Sequence, residues 1–503
     1  MKHKFKLVIV SAFSIGLAVS CSSDFLEVEP KGLALESNYY QNADEAYAGL
    51  VAVYDVMRKN SGGFENMITM FNAGSDDHVA GGGGATDGVG IQSFSNYTLD
   101  SNTIPASFWN DYYQGIFRAN VLLSKIPNIP MGDDLKVRFT AESKALRAYY
   151  YFNLVRMFKN IPLILNPLSP TEIYSIPQAN PADVYAQIEQ DLIDAIADLP
   201  PTVSLSTEAG RFTKGSAQAL LGKVYLYQGG KNALAAEQLQ EVNGTPGGTS
   251  QYGYKLLDNF NDLWVVTNKF NTESILEVTH TSQGNSYWGI WGGGQDEGNT
   301  VNVMVGPRGY TAIGSTAPAL PSGWSFNVFT QDFYDFMADD PRFGATVLDL
   351  KALKLAGEVD YIGGYEDTGY FLNKFLPRQA DAHTGAGDAV LNYKQNTYAI
   401  RLADTYLMEA EALGGSGTRA QALLDAVRSR VGLPSVPVSM TTIMDERRRE
   451  LAGEGHRWFD LVRTGQAASK LASRGFVAGK HEILPIPFKE LENTLLVQNP
   501  SYN

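Results

Sequence analysis

The chain has 503 residues, enough to bury one large hydrophobic core or two ordinary ones. Its 44% hydrophobic and 19% charged residues are the composition of a globular protein. The formal net charge of −14 excludes a nucleic-acid binder, because neutralising phosphates needs clustered Lys and Arg. A single cysteine excludes both an intramolecular disulfide and a thiolate metal cluster.

Residues 1–20 read as a secretory signal. Lys2, Lys4 and Lys6 form a positive start, and Leu7 to Val19 form an apolar stretch too short to span a bilayer comfortably. Ala18-Val19-Ser20-Cys21 ends it, small residues before the sole cysteine, and resembles a bacterial lipobox with Ala18 where Leu is usual. Cys21 is therefore the expected lipidation site. Acyl chains contribute about 0.8 kcal/mol per buried methylene, so several hold a protein on a membrane without a spanning helix. No later segment has 18 uninterrupted apolar residues. Residues 21–40 read as a tether, with Phe25-Leu26 its first docking point.

Helical patterns follow at 42–59, 107–126, 133–159, 181–198, 213–229 and 231–241, and return at 397–413, 418–431, 440–454 and 456–474. Pro181 marks a helix start, Pro200-Pro201 follow its end, and Gly229-Gly230 close another. "ALRAYYYFNLVRMF", "SAQALLGKVYLYQ" and "RLADTYLMEAEAL" mix small residues, leucines and tyrosines. Small residues at helical spacing let helices approach closely, and Tyr rings fill the space between layers. Such pairs suit tetratricopeptide-type hairpins, without a clean 34-residue period. From about 244 to 396, Gly, Asn, Thr, Trp and Tyr rise and helical periodicity fades, with "SILEVTH" (274–280) strand-like. A second irregular stretch spans 60–106. The expected fold is mainly α: a helical scaffold at 41–243 and 397–503, within one domain 41–503, carrying a loop-rich insertion with short strands.

In order, "FLEVEP", "FWNDYYQGIFRANVLLSKI", "AESKALRAYYYFNLVRMFKNIPLIL", "GRFTKGSAQALLGKVYLY", "YAIRLADTYLMEAEAL", "ALLDAVRSRVGLP", "DERRRELAGEGHRWFDLVRTG", "ILPIP" and "QNPSYN" resemble the SusD/RagB-like outer-membrane lipoproteins. The match covers both scaffold ends and only loosely the middle. The resemblance implies about four tetratricopeptide-like units and a variable loop-rich face. It also implies attachment to the outer face of a Gram-negative outer membrane and a partner, a SusC-like TonB-dependent barrel transporter. The implied role is capture of an oligosaccharide, or sometimes a peptide, for delivery to that barrel, without bond chemistry.

Enzyme motifs give little. In "DERRRELAGEGHRWFDLVR", Glu446, Arg447, Glu450 and Glu454 read as ion pairs along one helix face, with Trp458, Phe459, Leu461 and Val462 as apolar anchors. His481-Glu482 lacks the second His of a zinc helix, the Gly runs at 81–84 and 292–294 lack G-x-G-x-x-G, and "GGSGT" lacks the second glycine of a nucleophile elbow. No metal and no cofactor is expected, and no carboxylate pair is nominated for glycoside hydrolysis. The aromatics of the variable stretch are more informative. Tyr287, Trp288 and Trp291 lie among glycines in "SYWGIWGGGQDEG", and Trp324 in "PSGWSF". A sugar ring has a flat apolar face and a rim of hydroxyls, which an exposed indole and nearby polar groups match. Asp76, Asp77, His78, Arg308 and Tyr310 are the expected polar partners; Trp109 and Trp264 read as core. Against this stands the alternative that a Trp in a Gly-rich loop only pins the loop to the scaffold. The competing functions are a surface glycoside hydrolase, a binder of peptides, and a purely structural partner of the transporter.

Overall fold

The computed structural model describes residues 39–291 and 296–503; the signal, Cys21 and the tether up to residue 38 lie outside the described residues. The first half is a run of helices: α1 (Ala43–Asp55), α2 (Met67–Ala73), α3 (Val89–Ser95), α4 (Ser107–Lys125), α5 (Asp133–Phe158), α6 (Pro181–Asp198), α7 (Lys214–Gln228) and α8 (Asn232–Asn243). Local chemistry sets the boundaries. Asn180 caps the α6 start by accepting from the Ala182 N–H, with Pro181 as the first helical residue. Thr213 and Ser216 form a reciprocal capping box at α7, which ends at Gly229.

The insertion holds β1 (Ser274–Val278), α9 (Thr300–Val305), β2 (Thr311–Ala312), α10 (Gln331–Met337), β3 (Val347–Asp349), β4 (Val359–Asp360), β5 (Tyr370–Leu372) and β6 (Thr397–Arg401). The strands form three two-stranded antiparallel pairs: β1 with β6, β2 with β4, and β3 with β5. The chain then returns to helix as α11 (Leu402–Ala412), α12 (Gly417–Arg430), α13 (Met440–Glu450) and α14 (Arg457–Arg463).

Packing follows a simple succession. α1 lies on α4, α4 on α5, α5 on α6, α6 on α7, α7 on α8, and α11 takes the next place on α8 before α12 and α13 follow. Read in pairs, α1/α4, α5/α6, α7/α8 and α11/α12 are four helix hairpins, the expected tetratricopeptide-like scaffold. The insertion leaves after α8, and the β1–β6 pair closes its base where the scaffold resumes. The small-residue expectation holds in "SAQALLGKVYLYQ", where a Cβ on Gly222 of α7 would stand 2.6 Å from Leu239 of α8, and the same device recurs outside the expected segments, where a Cβ on Gly115 of α4 would stand 2.6 Å from the Tyr150 ring of α5. Tyr150 in turn donates to the Val53 carbonyl of α1 and ties three helices together. Among the described residues no helix is long and apolar enough to cross a membrane.

Several boundaries differ from the sequence expectation. Residues 397–401 are a strand rather than the first turn of a helix, because this segment supplies the partner of β1. The stretch 60–106 contains the short helices α2 and α3. The helix expected over 456–474 stops at Arg463, with Gly465 following in the left-handed region at φ 70°.

The largest correction concerns "DERRRELAGEGHRWFDLVR". Its apolar anchors Trp458, Phe459 and Leu461 are buried as expected, but Glu446, Arg447, Glu450 and Glu454 pair across the fold rather than with one another. Arg447 reaches Asp404 of α11 at 2.7 Å and Asp460 of α14 at 2.9 Å. Glu450 accepts from Arg342 at 2.8 Å and Arg401 at 2.6 Å, and also from Arg430; Glu454 meets Arg401 and Lys374, each at 2.8 Å. Burial alone would raise the Glu450 carboxyl; the guanidiniums of Arg430, Arg401 and Arg342 outweigh it and hold the group well below the usual carboxylate range. The segment is thus a charged bolt between scaffold and insertion.

Candidate functional site

The three insertion tryptophans come together. Ring centroids lie 5.5 Å apart for Trp288 and Trp291, 5.7 Å for Trp291 and Trp324, and 6.0 Å for Trp288 and Trp324. Trp288 and Trp324 are tilted by 31°, whereas Trp291 stands nearly perpendicular to both, at 79° and 74°. These are the offset and edge-to-face arrangements that aromatic quadrupoles favour.

Below them lies a base that sequence reasoning missed. Phe64 packs at 6.2 Å from Trp291 and 6.0 Å from Trp324, and then at 5.3 Å from Phe326. Exposure rises along this stack, from 1% at Phe326 to 50% at Trp288. The interior end is fixed to the core and the outer indole offers a face to solvent. Phe64 gives no local signal beyond an aromatic in a glycine-containing loop.

Backbone geometry presents the rings. Trp324 N–H donates to Val303 at 2.9 Å and Ser325 N–H to Gly306 at 2.7 Å, which docks the segment on the end of α9. The glycine run at 81–84 lies beneath: Gly81 bridges Phe326, and Gly82 N–H donates to Ser325 at 2.9 Å. It supports the stack rather than cradling a phosphate. The 286–291 turn is held by Asn392, whose side chain accepts from Ser286 N–H and donates to Ser286 O, each at 2.9 Å. Asp388 accepts from Trp288 N–H at 3.1 Å. The clamp needs Gly387, since a Cβ there would lie 2.6 Å from Ser286 O.

The other expected residues divide. Tyr287 is 52% exposed beside Trp288. Arg308 borders the cluster, donating to the Trp324 carbonyl at 3.2 Å, with Asp87 3.8 Å away. Tyr310 turns elsewhere: its hydroxyl donates to the Pro318 carbonyl at 2.5 Å, and its ring packs on the insertion's own core. Asp76 and Asp77 belong to the charged bolt instead, and His78 to the core beside it. Asp76 accepts from Arg457 at 2.7 and 2.8 Å, and Asp77 from Arg448 at 2.6 Å. His78 is buried against Phe329, with ring centroids 4.2 Å apart, and burial lowers its imidazole to about 3, so it stays neutral. Asp76 and Asp77 are thus engaged by arginines of the fold, and His78 is packed in its interior. Trp109 is buried as expected, while Trp264 is half-buried, packed on Phe375 at 5.7 Å and bordering a cavity.

The arrangement offers apolar faces with hydrogen-bonding groups at their edge. Among the described residues no group of His, Cys, Asp and Glu is placed to hold a metal ion.

Comparison with known proteins bears on the fold as a whole. A family model described as "SusD family" matches residues 351–502, and one described as "Starch-binding associating with outer membrane" matches residues 24–226. The solved structure of a laminarin-binding SusD-like protein is 67% identical and covers 92% of this chain and 100% of its own, with a TM-score of 0.91. Surface glycan-binding protein A from Bacteroides fluxus is 25% identical over 91% of this chain and 99% of its own, with a TM-score of 0.80. SusD-like protein P25 of Formosa agariphila is 25% identical over 551 aligned positions, 99% of each chain. Two of these relatives carry the names of glycan-binding proteins, and none of the three carries the name of an enzyme. With the helical scaffold and these matches together, the chain belongs to the SusD family.

Proposed function

We propose that the protein binds a neutral glucan of the laminarin class through the faces of Trp288, Trp291 and Trp324. The observation that carries this reading is the mutual packing of the three indoles at 5.5–6.0 Å with the outermost half exposed. A purely structural tryptophan would be covered by its neighbours. Here the neighbours fix the rings and leave a face open. The 67% identity to a protein named for laminarin binding supports the same ligand class. Apolar sugar faces would lie on the rings, with Tyr287, Arg308 and Asp87 at their edge for hydroxyls.

Lipidation of Cys21 would place this surface outside the outer membrane, and a SusC-like TonB-dependent barrel would receive the glycan. The family description, which names association with the outer membrane, supports that placement. Calorimetric titration of the chain from Ser22 onward with laminarin tests the binding. Saturable heat that weakens at least about tenfold in Trp288→Ala or Trp291→Ala, with the fold intact, is expected. Affinity equal to the parent's in both Trp288→Ala and Trp291→Ala, or no heat at all, overturns it. Co-purification of a barrel transporter with the wild-type chain, lost in Cys21→Ser, tests the anchoring and partner.

A further inference from the structure

A small cavity of about 40 Å³ lies where the scaffold meets the charged bolt, between α5, α7, β6 and the turn 454–456 that leads into α14. It has room for about two or three waters, or for one monatomic ion. Its polar wall is made by Arg156, Lys223 and His456, with Asn153, Tyr149 and Glu454 beside them.

Arg156 is the unusual member. Its guanidinium is half-buried and lies 3.9 Å from the Phe459 ring centroid, yet it has no carboxylate partner among the described residues. Nη2 donates to Asn153 Oδ1 at 2.5 Å, while Nη1 makes no hydrogen bond and, unlike Nε, is open to a water-sized neighbour. Lys223 is buried, and its Nζ gives one of three hydrogens to Asp404 at 3.1 Å. The ring nitrogens of His456 make no hydrogen bond and are not sealed either. Burial and the Lys223 ammonium lower this imidazole to about 4 against the pull of Asp404 and Glu454, so the ring is neutral and offers one N–H.

Charge decides the ligand. Glu454, the acid in the wall, is already bound by Arg401 and Lys374, and Asp404 behind Lys223 is shared with Arg447. Arg156 therefore carries a positive charge that no carboxylate answers, in a place where charges removed from water are normally paired. The open Arg156 Nη1, the two remaining Lys223 hydrogens and the His456 N–H are all donors, two of them charge-assisted, and such a set suits an anion. We propose that this cavity binds one small monovalent anion of the halide class, which ties α5 and α7 of the scaffold to the bolt segment 454–459. The inference does not depend on the proposed glucan binding, since no residue of the aromatic platform borders the cavity.

Thermal melts of the chain from Ser22 onward, with sodium chloride or bromide replacing sodium gluconate at constant ionic strength, test it. Gluconate is too large for the cavity. Both halides should raise the melting temperature saturably by about 1–3 °C, with the rise half complete in the millimolar range. In Arg156→Gln, which keeps polarity and removes the charge, the difference between halide and gluconate should vanish. In Lys351→Gln, which removes an exposed charge elsewhere, it should persist. In crystals grown with sodium bromide, an anomalous bromide peak should lie within hydrogen-bond reach of Arg156 Nη1 and Lys223 Nζ. The proposal falls if that peak is absent, if halides and gluconate give equal melts, or if Arg156→Gln keeps the whole difference; the cavity then holds water alone.

Discussion

Two loop regions of this chain look alike in sequence and end in opposite circumstances. Residues 74–88 and 285–324 are both rich in glycine, with polar or aromatic side chains suited to a ligand. In the first, Asp76 and Asp77 are taken by Arg457 and Arg448, and His78 is buried on Phe329. In the second, the tryptophans pack on one another yet leave Trp288 half exposed. The difference lies in what faces each loop. The acidic loop meets an arginine-rich helix, and charge leaves it no freedom. The aromatic loop meets Phe64 and Phe326, which cover one side of the rings only.

The sharpest way to break the comparison is to attack the charged bolt at its centre. Arg401→Ala would leave Glu273, Glu450 and Glu454 facing one another in the interior. Losing one partner of a buried ionic cluster costs about 3–5 kcal/mol, so urea unfolding should show a large drop in midpoint. Acid should reproduce this more gradually. Burial would raise the Glu454 carboxyl, but Arg401 and Lys374 outweigh it and hold it below its ordinary value. A carboxyl depressed on folding contributes stability above its unfolded value, which is lost as pH falls through the folded one. Stability should therefore decline as pH drops below about 4, measured by thermal melts in a pH series.

Next come a pair of variants that should behave in opposite ways. Asp77→Ala should lower the melting temperature by several degrees while leaving laminarin affinity within about twofold. Trp288→Ala should leave the melting temperature nearly unchanged and weaken laminarin about tenfold, or about 1.4 kcal/mol. If Asp77→Ala abolished binding without destabilising the fold, the assignment of its loop to the bolt would fail. The smallest effect is expected at Arg308, whose contact with Asp87 is long and partly exposed. Arg308→Ala should reduce laminarin affinity only about two- to fivefold, read by the same titration.

Much of the scaffold was legible because its signals are local. Pro181, Gly229, and the Tyr and small-residue texture of 145–158 each act within a few turns of helix. The tryptophans were legible as a composition, in that indoles among glycines have few local partners; their convergence on Phe64 was not. The bolt was illegible for a stronger reason. Arg448 and Asp77 are 371 residues apart and Arg342 and Glu450 are 108 apart, and nothing in either local sequence names the other. Helix periodicity offered Glu450 nearby partners within its own helix, while burial of the whole segment chose distant ones.

Those long separations bear on the order of assembly. The contacts that fasten the acidic loop at residues 76–77 and close the core around the insertion come from Arg448, Arg457 and their neighbours near the end of the chain. An emerging polypeptide can form its early helix hairpins from local contacts, but the acidic loop is fastened only once residues 448–457 have been made. A chain cut short before them would carry folded hairpins beneath an unfastened insertion.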